Sequence, residues 1–197
     1  MGTADRTPGR PRSSEADAAI LTAALDLLIE RGADATSVEQ VARRAGVTRA
    51  TVYRRFPDKT RLLLAAFEAA NGNPSATPEI RDVEHLLTGW ASVLADTRQR
   101  RLLRRLYSAF EDYPEIARAY QSQFGDQRSD TRTKVFERAR DRGELPAGTD
   151  PQVLLDLLSG AGWQHLVTYP DTCTAQDTER YLRAVLHQVG YRPKERK

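Results

Sequence analysis

The stretch VARRAGVTRATVYRRFPDK, Val41 to Lys59, restricts the fold of this chain more than any other, because its small and aliphatic residues fall where two short helices must meet. Ala42 lets a second helix approach closely, Gly46 supplies the positive φ that a tight interhelical turn demands, and Val52 plugs the second helix back onto the first. Val41 and Val47 add core positions on either side of the turn. Thr48 is placed to open the second helix, which runs to about Phe56, where Pro57 breaks it.

Helix punctuation continues in both directions. Ser14 with Asp17 predicts a capping box, and Ile20, Ala24, Leu27 and Leu28 recur at helical spacing until Gly32. Ser37 with Gln40, or Thr36 with Glu39, opens the next helix, and Asp58 is placed to cap a fourth, KTRLLLAAFEAA. NGNPSATP then reads as a seam. Beyond it the pattern predicts helices from about Glu79 to Ala95, Arg98 to Glu111, Pro114 to near Gly143, Pro151 to Thr168 and Asp177 to Val189. No apolar–polar alternation is sustained anywhere, so the expectation is an all-α chain of about nine helices. Its parts are a flexible basic arm, 1–13; a three-helix helix-turn-helix domain with its connecting helix, 14–70; and a larger helical domain, 71–197.

A formal net charge of +3 is mild, so nucleic-acid binding must come from where the charge sits. It sits on the helix-turn-helix. Thr48, Arg49, Tyr53 and Arg54 project from the second helix, where arginine grips guanine edges through paired hydrogen bonds. Thr36, Ser37, Thr48, Thr51, Tyr53 and Arg55 are placed for phosphates, and Lys59 lies beside the N–H groups that open the fourth helix. Phe56 reads as core, and Arg43 and Arg44 as a solvated face.

TSVEQVARRAGVTRATVYRRFPDKTRLL, with the preceding AAILTAALDLLIERG, resembles the DNA-binding region of the TetR (tetracycline-repressor-like) family of transcriptional regulators. The family pattern appears as Thr36/Ser37, Val41-Ala42, Ala45-Gly46-Val47, Tyr53, Phe56 and Lys59, over about Ser14 to Phe67. Arg55 departs from it, standing where the family often has histidine, and should preserve a phosphate contact. Arg10 and Arg12 resemble basic extensions that reach an adjacent minor groove.

The resemblance also implies a C-terminal domain that dimerises and, in many members, encloses a small-molecule pocket. DPQVLLDLLSGAGWQHLVTY combines Val153, Leu154, Leu157 and Leu158 with a small patch that includes Gly160 and Ala161, and TERYLRAVLHQVG repeats Tyr181, Leu182, Val185, Leu186 and Val189 at helical spacing. These resemble the paired final helices of a four-helix dimer interface, with an internal core as the alternative. Trp90, Tyr107, Phe110, Tyr113, Tyr120, Phe124 and Trp163, with His165, suit a pocket for a flat or amphipathic organic effector, and suit an ordinary core nearly as well. The expected partners are an inverted-repeat DNA operator, a second copy of the chain and a small organic effector that releases a repressor from its operator.

Other classes are excluded by what they would need. A single cysteine, Cys173, builds neither a disulfide framework nor a cysteine-rich zinc site, and His85, His165 and His187 are scattered. No catalytic constellation or phosphate-cradling glycine loop occurs, so no enzyme and no cofactor are expected. No signal peptide and no span of membrane length is found, which places the chain in the cytoplasm. The rival reading is a ligand-binding helical dimer that serves as a sensor or scaffold without specific DNA readout.

Overall fold

The computed structural model describes residues 11–71, 80–121 and 127–194, and among them the regular structure is helical throughout. The chain divides into two compact units, Met1–Gly72 and Asn73–Lys197.

In the first unit, α1 spans Pro11–Arg31. It begins earlier than the Ser14–Asp17 capping box would place it: Pro11 takes the first helical position, where its fixed φ and missing N–H are harmless. Ser14 and Asp17 therefore lie inside the helix, and Asp17 is used elsewhere. Gly32, at φ +84°, ends α1. α2, Val38–Arg44, opens on a reciprocal box in which the Ser37 hydroxyl accepts from the Gln40 N–H while the Gln40 side chain accepts from the Ser37 N–H. The choice between the Ser37 and Thr36 caps is thereby made. Gly46, at φ +67°, turns the chain, and the Val47 N–H donates to the Ala42 carbonyl at 3.0 Å. α3, Arg49–Tyr53, is capped by Thr48, and α4, Lys59–Asn71, by Asp58, whose carboxylate accepts from the Arg61 N–H at 2.7 Å. Ile20, Ala24, Leu27, Val41, Ala42, Val52 and Leu62 close a single core, with Phe56 and Val47 packed at its edge.

The second unit contains α5 (Val83–Ala95), α6 (Thr97–Ser108), α7 (Pro114–Tyr120), α8 (Gln127–Asp141), α9 (Pro151–Thr168) and α10 (Ala175–Gln188). The helix expected from Pro114 to near Gly143 is thus described as α7 and α8, with 122–126 outside the described residues. Asp82, Asp96, Asp150 and Thr174 cap α5, α6, α9 and α10. Their core gathers Val83, Leu86, Leu87, Phe136, Leu158, Leu182 and Leu186.

Several polar side chains are buried in this unit, Arg100, His165 and Thr178 among them. Arg100 of α6 is fully buried and donates to the Leu94 carbonyl at 2.8 Å, at the end of α5, and to those of Leu166 and Tyr169 at 3.1 and 2.7 Å, at the end of α9. It therefore caps the C-termini of two helices at once, with its cation at the negative end of both dipoles. Its Nε donates to Asp171 at 2.9 Å, and Asp171 also receives Arg104 through both oxygens. The two guanidiniums, Arg100 first, hold the Asp171 carboxyl below its ordinary range.

His165, buried on α9, lies 3.5 Å from the Arg100 Nη1, stacks on Tyr169 and approaches Tyr181. Burial, and then the neighbouring guanidinium, hold the imidazole below its ordinary value. Below about pH 6.5 the unfolded chain takes up a proton that the folded chain refuses, so folding stability is full above that pH and falls as pH is lowered toward the folded value. Urea midpoints of the wild type should therefore drop between pH 7.5 and pH 5.5 by more than those of His165→Gln. Equal drops in both proteins would refute the assignment.

Candidate nucleic-acid interface

The two short helices of the first unit present one polar face. Tyr53 is 45% exposed, and Thr48, Arg49 and Arg54 are exposed beside it. The Thr48 hydroxyl accepts from the Thr51 N–H at 3.2 Å and stands 2.9 Å from the Thr51 hydroxyl, which fixes both at the opening of α3. Ser37 holds the equivalent place at α2. Val52, on the opposite side of α3, is fully buried, so the polar face points outward by the same register that seats the helix.

Carboxylates of the same unit engage several of its arginines. Arg49 Nη2 lies 2.6 Å from a Glu39 oxygen. Arg44 donates through both terminal nitrogens to both oxygens of Glu30, at 2.8 Å each. Arg55 pairs with Asp17 of α1 and donates to the Thr51 carbonyl at 3.0 Å.

Three expected phosphate residues make bonds inside the unit. Thr36 is 1% exposed and donates its hydroxyl to the Gly32 carbonyl at 2.8 Å, so it secures the turn after α1 and is not a surface group. Arg55 is largely buried and ties α3 to α1. Lys59 donates to the Ala33 carbonyl at 3.1 Å, which joins α4 to the α1–α2 turn. Arg10 lies outside the described residues, and Arg12 lies in the first turn of α1 with its side chain outside them.

Residues 20–66 match the family described as bacterial regulatory proteins of the tetR family, and residues 79–185 match the tetracyclin repressor-like C-terminal domain. The second match alone spans more than half of the chain. The chain belongs to the TetR family.

Among its relatives, the uncharacterized HTH-type transcriptional regulator YdeS of Bacillus subtilis is 29% identical over 167 residues, 83% of this chain and 84% of that protein. The uncharacterized regulator Rv1556 of Mycobacterium tuberculosis is 32% identical over 158 residues, 79% and 76% of the two chains. Of solved structures, NalD, the secondary repressor of the MexAB-OprM multidrug efflux pump in Pseudomonas aeruginosa, superposes with a TM-score of 0.70 at 25% identity, over 90% of this chain and 98% of that one. These are families of DNA-binding transcriptional regulators and not of enzymes, and the TetR-type chain described here is a DNA-binding transcriptional regulator.

The TetR-type C-terminal unit separates the residues expected in a pocket. Tyr107, Phe110, Tyr120 and Trp163 form one aromatic cluster, with ring centroids 4.3 Å (Tyr107–Trp163) to 5.6 Å (Phe110–Tyr120) apart and the two phenol oxygens of Tyr107 and Tyr120 3.2 Å apart. Tyr113 stands at the start of α7, and Trp90 packs on the core beneath the Arg132 guanidinium, 5.1 Å from its ring. His165 belongs to the Arg100 assembly instead, and Phe124 lies outside the described residues.

Residues expected at a dimer interface divide as well. Leu154, Leu158, Leu182 and Leu186 are buried in the chain's own core, and Tyr181, Val185 and Val189 pack at its edge. Val153 and Leu157 are 60% and 44% exposed, and Gly160 and Val167 continue that face of α9, with Ala161 half-buried next to it. Sequence spacing gives no role to Arg100 or Asp171 and places Glu39 and Asp17 in caps, not in ion pairs with arginines. For Arg100 a signal existed, since the apolar series Leu103, Leu106, Tyr107 and Phe110, continued one turn toward the start of α6, arrives at it.

Proposed function

We propose that this TetR-family regulator is a homodimeric repressor that binds an inverted-repeat operator through two copies of α3 and leaves it when a small organic molecule binds the C-terminal unit. The exposed face of Thr48, Arg49, Tyr53 and Arg54, held outward by the burial of Val52, carries the proposal. Arg49 and Arg54 are the base readers, while Ser37, Thr48, Thr51 and Tyr53 bind phosphates. Lys59 adds positive charge behind that face, and Arg10 and Arg12 reach the neighbouring minor groove. The regulator acts in the cytoplasm, where its DNA is.

The dimer forms along the exposed α9 stripe of Val153, Leu157, Gly160 and Val167, whose spacings of four, three and seven residues keep them on one face as in a helix-packing seam. The ligand is a flat or amphipathic organic molecule that stacks on the cluster of Tyr107, Phe110, Tyr120 and Trp163 and uses the paired phenols as its polar contact. It weakens DNA binding only through a higher affinity for a non-binding arrangement of the dimer.

A random-oligonucleotide selection with the purified protein at near-physiological salt tests the core of this function. Enrichment of an inverted repeat, with half-sites about one helical turn apart or somewhat more, is the expected result. A salt-sensitive pool with no enriched pattern would overturn sequence-specific repression and leave only backbone binding.

A further inference from the structure

Resting on the reading of α3 as the DNA-contacting helix, we propose that Glu39 sets this regulator's base preference by orienting Arg49: it is a positioning residue on α2 for a reader on α3. Arg49 is the first residue of α3, and Glu39 lies in the first turn of α2. The 2.6 Å pair joins them across the turn while both side chains stay about half exposed, at 60% and 49%, so it stands on the face that meets DNA.

Both ends of the pair rest on fixed backbone. The reciprocal Ser37–Gln40 box sets the start of α2, and the Thr48 cap sets the start of α3. Its own backbone N–H, then the Ser37 hydroxyl, then Arg49, keep the Glu39 carboxyl below its ordinary value, so it is an anion wherever the protein functions.

The geometry differs from that of the neighbouring arginines. Arg44 commits both terminal nitrogens to Glu30, and Arg55 is held between Asp17 and the Thr51 carbonyl. Arg49 meets Glu39 through Nη2. A guanidinium has five N–H donors, so a contact at one nitrogen leaves donors for O6 and N7 of a guanine. An unrestrained arginine must lose rotamer freedom on binding, and a carboxylate that already fixes its plane removes part of that cost. The same carboxylate repels phosphates. Glu39 therefore lowers affinity for random DNA while it sharpens the choice of base, as an element that discriminates against wrong partners does.

The test compares full-length wild type, Glu39→Gln, Arg49→Ala and the double variant on the selected site and on sites in which each guanine is replaced. Wild type should prefer one guanine per half-site by about tenfold or more, and Arg49→Ala should abolish that preference. Glu39→Gln should cut it about threefold or more, bind random DNA more tightly and keep the wild-type melting temperature. In the Arg49→Ala background it should change no base preference. A merely structural Glu39 would lower the melting temperature and weaken all sequences alike.

The proposal is overturned if Glu39→Gln retains a preference that Arg49→Ala abolishes. It is also overturned if Glu39→Gln shifts preference equally without Arg49, since Glu39 would then touch a base itself. If Arg49→Ala leaves every preference intact, the assignment of the α3 face fails, and the proposal with it.

Discussion

Arg100→Met is expected to destabilise the C-terminal unit by about 3–5 kcal/mol, more than any substitution on the DNA-facing surface. Methionine fills much of the same volume and supplies no donor. The Leu94 and Tyr169 carbonyls each lose the N–H that Arg100 brings, whereas Leu166 keeps Arg104 at 3.0 Å. An orphaned buried carbonyl costs about 1–3 kcal/mol, which applies in full to Leu94 and only in part to the part-buried Tyr169, and the ends of α5 and α9 also lose the cation at their dipoles. Arg100→Lys should recover little, because one ammonium cannot reach both helix ends and Asp171 together. The chain's two tryptophans, Trp90 and Trp163, both lie in this unit, so urea titration followed by their fluorescence reports on it directly. A loss below about 1 kcal/mol would mean that the two helix ends find other donors.

The second large effect falls on assembly. Leu157→Glu should leave the folded chain intact, since the side chain is 44% exposed and takes no part in the core. On the twofold seam proposed along α9 the substitution places a carboxylate of each copy in apolar surroundings, and dimer affinity should fall by more than about a hundredfold. Sedimentation velocity would show monomers at concentrations where the wild type is dimeric, circular dichroism would be unchanged, and operator affinity would collapse. A variant that remained fully dimeric would place the interface on another surface.

Several helix starts are legible because capping is a local event: Ser37, Thr48 and Asp58 sit within a few residues of the N–H groups they bind, whereas α1 starts at Pro11, ahead of the Ser14–Asp17 pattern. Pairings across long stretches of chain were not. Arg55 has the spacing of a phosphate contact, and nothing near it in sequence reveals that Asp17, on another helix, will claim it. Thr36 follows a related rule, since a threonine beside a cap serves equally well inside the preceding turn, where its hydroxyl reaches the Gly32 carbonyl. On α9 the apolar residues occupy two adjacent stripes, Leu154 with Leu158 and Val153 with Leu157. Periodicity identifies both but cannot tell which one the chain buries and which it leaves exposed. Arg100 was hidden by its chemistry, because a cation on an apolar stripe reads as a surface residue until the carbonyls that receive it are known.

The pairing of Arg44, Arg49 and Arg55 with Glu30, Glu39 and Asp17 bears on how such a regulator finds its site within a chromosome. Arginines already paired within their own domain should displace fewer counterions from ordinary duplex, which would shorten each random encounter. A regulator built this way would give up some residence on the wrong sequence and spend more of its time moving between candidate sites, so that less of it is absorbed by the rest of the genome.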